Sequence, residues 1–129
     1  MNIDSIRSYC LSLPHATEDI QWGNDLLFRI AGKIFAGMSL DPPHSLSFKC
    51  TPEKFDELIE QEGIIPAPYV ARNKWVMLER LDALSDRDIK SLIANSYEMI
   101  FSKLTKKTQA ELGATTKPGA AKSRSAKRT

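Results

Sequence analysis

The N-terminal half of the chain shows one helical pattern followed by several strand patterns. Apolar residues recur at helical spacing at Ile3, Ile6, Cys10 and Leu13. This stripe predicts a helix over about residues 3–13 that Pro14 ends. Asn2 or Asp4 is its expected N-cap. Strand patterns follow over residues 19–22, 26–30, 34–40 and 45–50.

The predicted strands have an inner and an outer side. A tight turn at Gly32-Lys33 joins the second strand to the third. In the third strand we expect one face to carry Ile34, Ala36, Met38 and Leu40. In the fourth, Leu46, Phe48 and Cys50 are expected to face the core, alternating with Ser45, Ser47 and Lys49 on the outside. Three such segments in succession predict an antiparallel meander.

Two capped helices dominate the second half of the chain. Thr51 is a good N-cap before Pro52, and Gly63 is the expected C-terminal stop of this helix. A strand over about residues 74–79 follows, and a long helix begins after the N-cap Ser85. The order helix, strands, helix, strand, helix predicts an α+β fold, with one antiparallel sheet whose helices pack on one face.

The basic residues are concentrated behind the last predicted helix. Residues 105–129 carry seven of the 18 Lys and Arg and one of the 16 acids, a net charge of +6 that leaves −4 for residues 1–104. After Lys107 the apolar periodicity is lost. We therefore predict one folded domain over 1–107 and a basic, low-complexity tail over 108–129 that is disordered in isolation.

Hydropathy and the positions of the cysteines indicate the cellular compartment that we expect for the protein. No apolar run has the length of a membrane span, and the N-terminal residues lack the form of a signal peptide. We expect a cytoplasmic protein without a membrane partner. Cys10 and Cys50 both fall on apolar faces, which favours buried thiols over the alternative of a disulfide.

A connector of unusual composition lies between the second helix and the next strand. The stretch from Ile64 to Leu78 reads IIPAPYVARNKWVML and contains no acidic residue. Pro66 and Pro68 hold such a segment extended, because proline fixes its own φ and restricts the residue before it. Its cations and aromatic rings favour an anionic or planar partner, since long ordered connectors often carry binding function.

Several short segments together form a recognisable set. They are Leu13-Pro14, Phe28-Arg29-Ile30, Leu46-Ser47-Phe48-Lys49, Pro66-Ala67-Pro68-Tyr69 with Arg72 and Lys74-Trp75-Val76, Leu81-Asp82-Ala83-Leu84-Ser85, and Ser96-Tyr97. From the first helix to about Lys107 the chain resembles the MmcQ/YjbR family of small bacterial proteins by these segments. The resemblance implies a frataxin-like (CyaY-like) fold, also described as a double wing, and members are commonly labelled DNA-binding. Asn73 departs from the family, in which many relatives carry histidine, so no role is assigned to an imidazole there.

Six residues are candidates for contact with nucleic acid. They are Arg29, Lys33, Lys49, Tyr69, Arg72 and Lys74. Lysine and arginine bind phosphates, and Tyr69 or Trp75 can stack on bases. The alternatives are that the aromatic rings belong to the core and that the cations are ordinary solvated charges. The net charge of −4 outside the tail counts against DNA binding, because duplex binders usually show a basic stripe.

No motif in the chain indicates catalysis. His15 and His44 lack partners at zinc-ligand spacing, and neither a nucleophile elbow, a phosphate-binding loop nor a paired-histidine zinc motif occurs. We predict that the protein is not an enzyme and has no cofactor or metal. One face of the second helix carries Glu53, Asp56, Glu57 and Glu60. Such a ridge is typical of a solvated face, and the alternatives are a site for hard cations or a docking surface for a basic protein.

Two functions remain open from the sequence. The first is a DNA-binding protein that contacts mainly the phosphate backbone, with the tail adding non-specific attraction. The second is a protein-interaction module that uses the connector or the acidic face of the second helix.

Overall fold

The structure is a computed structural model that describes residues 1–68 and 73–115. Across these residues the chain forms four helices, namely α1 (Ile3–Ser12), α2 (Pro52–Leu58), α3 (Asp86–Ser102) and α4 (Lys106–Thr115). The same residues form six strands, namely β1 (Ala16–Gln21), β2 (Asp25–Ile30), β3 (Lys33–Ser39), β4 (Leu46–Lys49), β5 (Ile64–Pro66) and β6 (Trp75–Leu78). The strands make one antiparallel sheet in the order β1-β2-β3-β4-β6-β5.

Three helix starts follow from side chains that accept free backbone N–H groups. Asn2 caps α1 in a capping box with Ser5, Thr51 caps α2, and Ser85 caps α3. The helix after Thr51 and the helix after Ser85 therefore begin where the sequence predicts. The α+β architecture is confirmed.

Within residues 1–68 and 73–115, the helices pack on one face of the sheet and none covers the other. Strand alternation sends Phe28, Leu46, Phe48 and Val76 to the covered face, where they meet α1, α2 and α3 in one core cluster. The alternate positions lie on the opposite side, which we call the open face. Ser47 on β4 and Met77 on β6 are adjacent there.

A bulge between β2 and β3 changes the predicted face of one residue. The pairing shifts so that Phe28 faces Ala36 while Arg29 faces Ile34, which leaves Phe35 as the extra residue. Phe35 and Ala36 are both fully buried as a result. The expectation that Ile34 shares a face with Ala36 and Met38 is therefore wrong, because the bulge moves Ile34 to the open face.

Two elements have no counterpart in the sequence prediction. β5 occupies the first residues of the presumed connector and pairs along β6 at the sheet edge, where Pro66 is tolerated because an edge strand has a free side. α4 occupies residues 106–115, so the predicted tail begins within a helix. Gln109 of α4 donates hydrogen bonds to the carbonyls of Phe101 and Leu104 at the end of α3, at 3.2 and 2.9 Å.

The remaining residues of the predicted tail, 116–129, lie outside the described residues. Among the helices that the structure describes, none combines the length and apolar character of a membrane span.

Candidate nucleic-acid interface

Four lysines gather at one end of the sheet. The β2–β3 turn presents Lys33, β4 finishes at Lys49, and β6 begins just after Lys74, so the antiparallel pairing puts all three at the same end. Lys103, at the C-cap of α3, is close enough to Lys49 to influence its ionisation. We call Lys33, Lys49, Lys74 and Lys103 the lysine end.

The four lysines differ in how firmly they are held. Lys33 and Lys103 are exposed. The Lys49 ammonium donates a hydrogen bond to the Asn73 carbonyl at 2.7 Å, and its pKa is lowered by partial burial and by repulsion from Lys103. The Lys74 ammonium lies 5.0 Å from the centre of the Phe55 ring, a cation–π contact. Lys33 and Lys103 are therefore freest to reach a phosphate.

Arg29 is less available than the sequence suggests. Its Nε donates to the Asp19 carboxylate at 2.8 Å, and its Nη1 donates to the Gly32 carbonyl at 3.0 Å. The ion pair joins β1 to β2 and compensates the Arg29 charge. Its main contribution is thus to hold the edge strand and the turn beside Lys33.

The connector contributes two of its aromatic and basic candidates to the described structure. Trp75 is half-buried and lies on the open face, so it is not part of the core beneath the helices. Lys74 adopts φ 67°, a left-handed conformation that is uncommon outside glycine. Tyr69 and Arg72 lie outside the described residues.

Acidic side chains collect at the opposite end of the sheet. The loops and helix start at that end carry Asp25, Asp41, Glu60, Glu62, Glu79, Asp82, Asp86 and Asp88. We call this group the acidic end. Three cations, Arg80, Arg87 and Lys90, lie among these acids, and Arg80 pairs with Asp82, so the acidic end is mixed but predominantly negative. A basic surface coexists with an acidic body because the two signs are separated along the strand direction.

A cleft of about 700 Å³ lies on the open face. Both tryptophans of the chain line it, Trp75 towards the lysine end and Trp22 towards the acidic end. Leu27, Ile34 and Met77 give it apolar walls. Sequence reasoning missed the cleft, because these aliphatic residues have the composition of core positions. The one signal in the sequence is the position of Trp22 directly before the Gly23-Asn24-Asp25 turn, where a large aromatic residue is 71% exposed in the structure.

Gly37 shapes the floor of the cleft. It is the cross-strand neighbour of Leu27, and a Cβ on Gly37 would lie 3.2 Å from the Leu27 Cδ2. The missing side chain allows Leu27 to lie across β3. Leu27 is only 4% exposed for this reason, although it is on the open face.

The other groups considered from the sequence are the two cysteines and the acidic face of α2. Both cysteines are buried free thiols; burial raises the pKa of Cys10 to about 12 and that of Cys50 to about 11, so neither is a ready nucleophile at neutral pH. On the acidic face of α2, Glu57 pairs with Lys54 at 2.8 Å. Within residues 1–68 and 73–115 no group of three or more His, Cys, Asp or Glu has the spacing of a metal site.

Comparison with known proteins places the chain in a family. The YjbR family model matches residues 11–99, and the chain belongs to the YjbR family. A crystal structure of Deinococcus radiodurans protein DR2400, with a DUF419 domain, is similar at 25% identity with a TM-score of 0.79, over 94% of this chain and 96% of that one.

A second similar structure is a protein from Pseudomonas syringae. It is 22% identical with a TM-score of 0.65, over 77% of this chain and 98% of that chain, and it shows the shared fold. No curated protein matches the sequence.

Proposed function

We propose that this YjbR-family protein is a non-enzymatic DNA-binding protein that holds the phosphate backbone at its lysine end. The observation that carries the proposal is the separation of charge between the lysine end and the acidic end. A cluster of cations on one surface attracts the phosphate backbone, and acids at the far end orient the molecule as it approaches. The basic residues of the tail add attraction that does not depend on DNA sequence.

The position of the charges is tested by two double variants with equal change in net charge. Lys33→Ala with Lys103→Ala removes the two exposed cations of the lysine end. Arg87→Ala with Lys90→Ala removes two exposed cations from the first turns of α3, beside the acidic end. The second pair controls for net charge, because each variant loses two positive charges, at different places on the protein.

Duplex binding is measured by fluorescence anisotropy across a salt series. We expect the Lys33/Lys103 variant to bind more weakly, with the slope of log K against log salt reduced by about 0.9 for each phosphate that is no longer neutralised. The Arg87/Lys90 variant should retain nearly the wild-type slope. Equal weakening in the two variants would show that only net charge matters, and the proposed site would then be rejected.

A further inference from the structure

We propose that the open-face cleft receives an unpaired base of a single DNA strand whose phosphate lies at the lysine end. This inference rests on the proposed function and extends it from backbone contact to contact with a base. Bases offer flat π-faces with polar edges, and single-strand binders commonly stack them on aromatic side chains. The cleft has this character, since Trp22 and Trp75 flank an apolar floor.

The cleft and the lysine end are continuous. Trp75 is the cross-strand neighbour of Lys49, so the aromatic wall begins one strand away from a cation. Asp25 marks the far end of the cleft, near Ser45. The positions of Ser45 and Lys49 are four residues apart in sequence, roughly 13 Å along an extended strand. A nucleotide can therefore place its phosphate at the lysine end while its base lies within the cleft, stacked on one of the two tryptophans that line it.

The polar groups of the cleft favour particular bases. Asp25 is the charged residue of the cleft lining; it is half-buried, and within the described residues its carboxylate has no hydrogen-bond or ion-pair partner. A carboxylate accepts hydrogen bonds from an exocyclic amino group such as N4 of cytosine. Ser47 adds a hydroxyl on the floor that donates or accepts. Cytosine, which carries an amino group, is thus expected to bind better than thymine, which has none.

Duplex DNA does not offer the unpaired base that the cleft is proposed to receive. Its bases are paired and stacked, and extruding one costs a few kcal/mol. The cleft should therefore distinguish an unpaired strand from a duplex, whereas the lysine end should bind the backbone of either. This difference separates the present inference from the proposed function.

The first test fills the cleft in the full-length chain. Ser47→Phe places a ring on the floor beside Gly37 and Met77, at a strand position that tolerates aromatic residues. Thr17→Phe is the matched control, because Thr17 is exposed on the open face of β1 and does not line the cleft. Thermal unfolding by circular dichroism checks that both variants fold.

The ligands are oligo-dC, oligo-dT and an abasic strand of equal length, with a duplex as a fourth. We expect oligo-dC to quench the tryptophan fluorescence and to bind about tenfold tighter than the abasic strand, consistent with the stacking energy of a base on an aromatic ring. Ser47→Phe should remove this advantage and leave duplex binding unchanged, while Thr17→Phe should keep it. Asp25→Asn should reduce the preference for dC over dT.

The outcomes separate the two proposals. Equal binding of oligo-dC and the abasic strand, or an unchanged oligo-dC affinity in Ser47→Phe, overturns the cleft inference while leaving backbone binding intact. Absence of binding to every ligand in the wild-type protein overturns the proposed function as well. Tighter binding of oligo-dC that depends on Ser47 and Asp25 supports the inference.

Discussion

A single buried hydroxyl connects the sheet to the helix that covers it. Ser96 of α3 is fully buried; its Oγ accepts a hydrogen bond from the Lys49 backbone N–H at 3.0 Å and donates one to the Phe35 carbonyl at 2.7 Å. These two backbone groups lie beyond the regular pairing of β3 with β4, next to the bulge. The serine thus continues the ladder where the strands separate.

We expect Ser96→Ala to lower the free energy of unfolding by about 1–3 kcal/mol, because it leaves a partly buried donor and a buried acceptor without a partner. Ser91→Ala is the matched control, since Ser91 is exposed on the same helix and the change in helix propensity is the same. Urea denaturation followed by circular dichroism gives the two midpoints. Coincident midpoints for the two variants would contradict the bridging role.

The sequence predicts correctly that a charged side chain is free to bind a ligand only where no residue from another strand forms an ion pair with it. Lys33 is predicted at a hairpin tip, and it is exposed beside the β2–β3 turn. Arg29 is predicted to contact nucleic acid, but Asp19 compensates its charge across the strand pair. The partner is ten residues away and becomes a neighbour only through the β1–β2 pairing, which local periodicity does not specify.

At the scale of elements, capping residues in the sequence predict where helices begin, whereas the short edge strand β5 and the bulge in β3 are not predicted. Thr51 and Ser85 act through contacts within a few residues, so sequence reveals them. β5 has three residues, too few for alternation to be seen, and it exists through its pairing with β6. The bulge at Phe35 adds one residue to the strand and reverses the face of Ile34, which an unbroken two-residue period does not predict.

Gln109 supplies one of the contacts that hold α4 against the rest of the chain, beside Leu112, which packs against the core. Gln109 donates to the Phe101 carbonyl, which also accepts the Leu104 backbone N–H, and to the Leu104 carbonyl in the link between the two helices. We expect Gln109→Ala to free α4 from α3 and to speed tryptic cleavage at Lys106 and Lys107, with the midpoint of urea unfolding changed little. Cleavage is followed by mass spectrometry.

Glu111→Ala provides the control for this cleavage experiment. Glu111 is exposed on α4, and the substitution gives the helix the same alanine without touching the α3 carbonyls. Its cleavage rate should remain near that of the wild type. Equal acceleration in both variants would mean that α4 frays independently of Gln109.

At the scale of the whole molecule, the net charge of the folded part and the positions of its charged residues lead to different expectations about phosphate binding. The sum over residues 1–104 is −4, which argues against a phosphate-binding body. The strand order instead places the lysine end and the acidic end at opposite ends of the sheet, which is the arrangement that the proposed binding requires. The cleft is likewise a property of the assembled sheet, since β2, β3, β4 and β6 each contribute part of its lining. Neither feature is contained in any one segment.

We expect the tail and the lysine end to make separable contributions to the proposed DNA binding. Deleting residues 116–129 removes five cations and keeps all the helices and strands that the structure describes. We expect the truncated protein to bind duplex DNA more weakly, with a shallower dependence on salt, because fewer counterions are released. It should still distinguish the Lys33/Lys103 variant from the Arg87/Lys90 variant, because that difference depends on the folded body.

A chain with residues 116–129 in shuffled order is the control for this truncation. It has the same composition and should bind like the wild type if the tail acts only through its charge. Anisotropy titrations of the three proteins in one salt series supply the comparison. A truncated protein that binds no duplex at any salt concentration would assign all DNA affinity to the tail and leave the lysine end without a role.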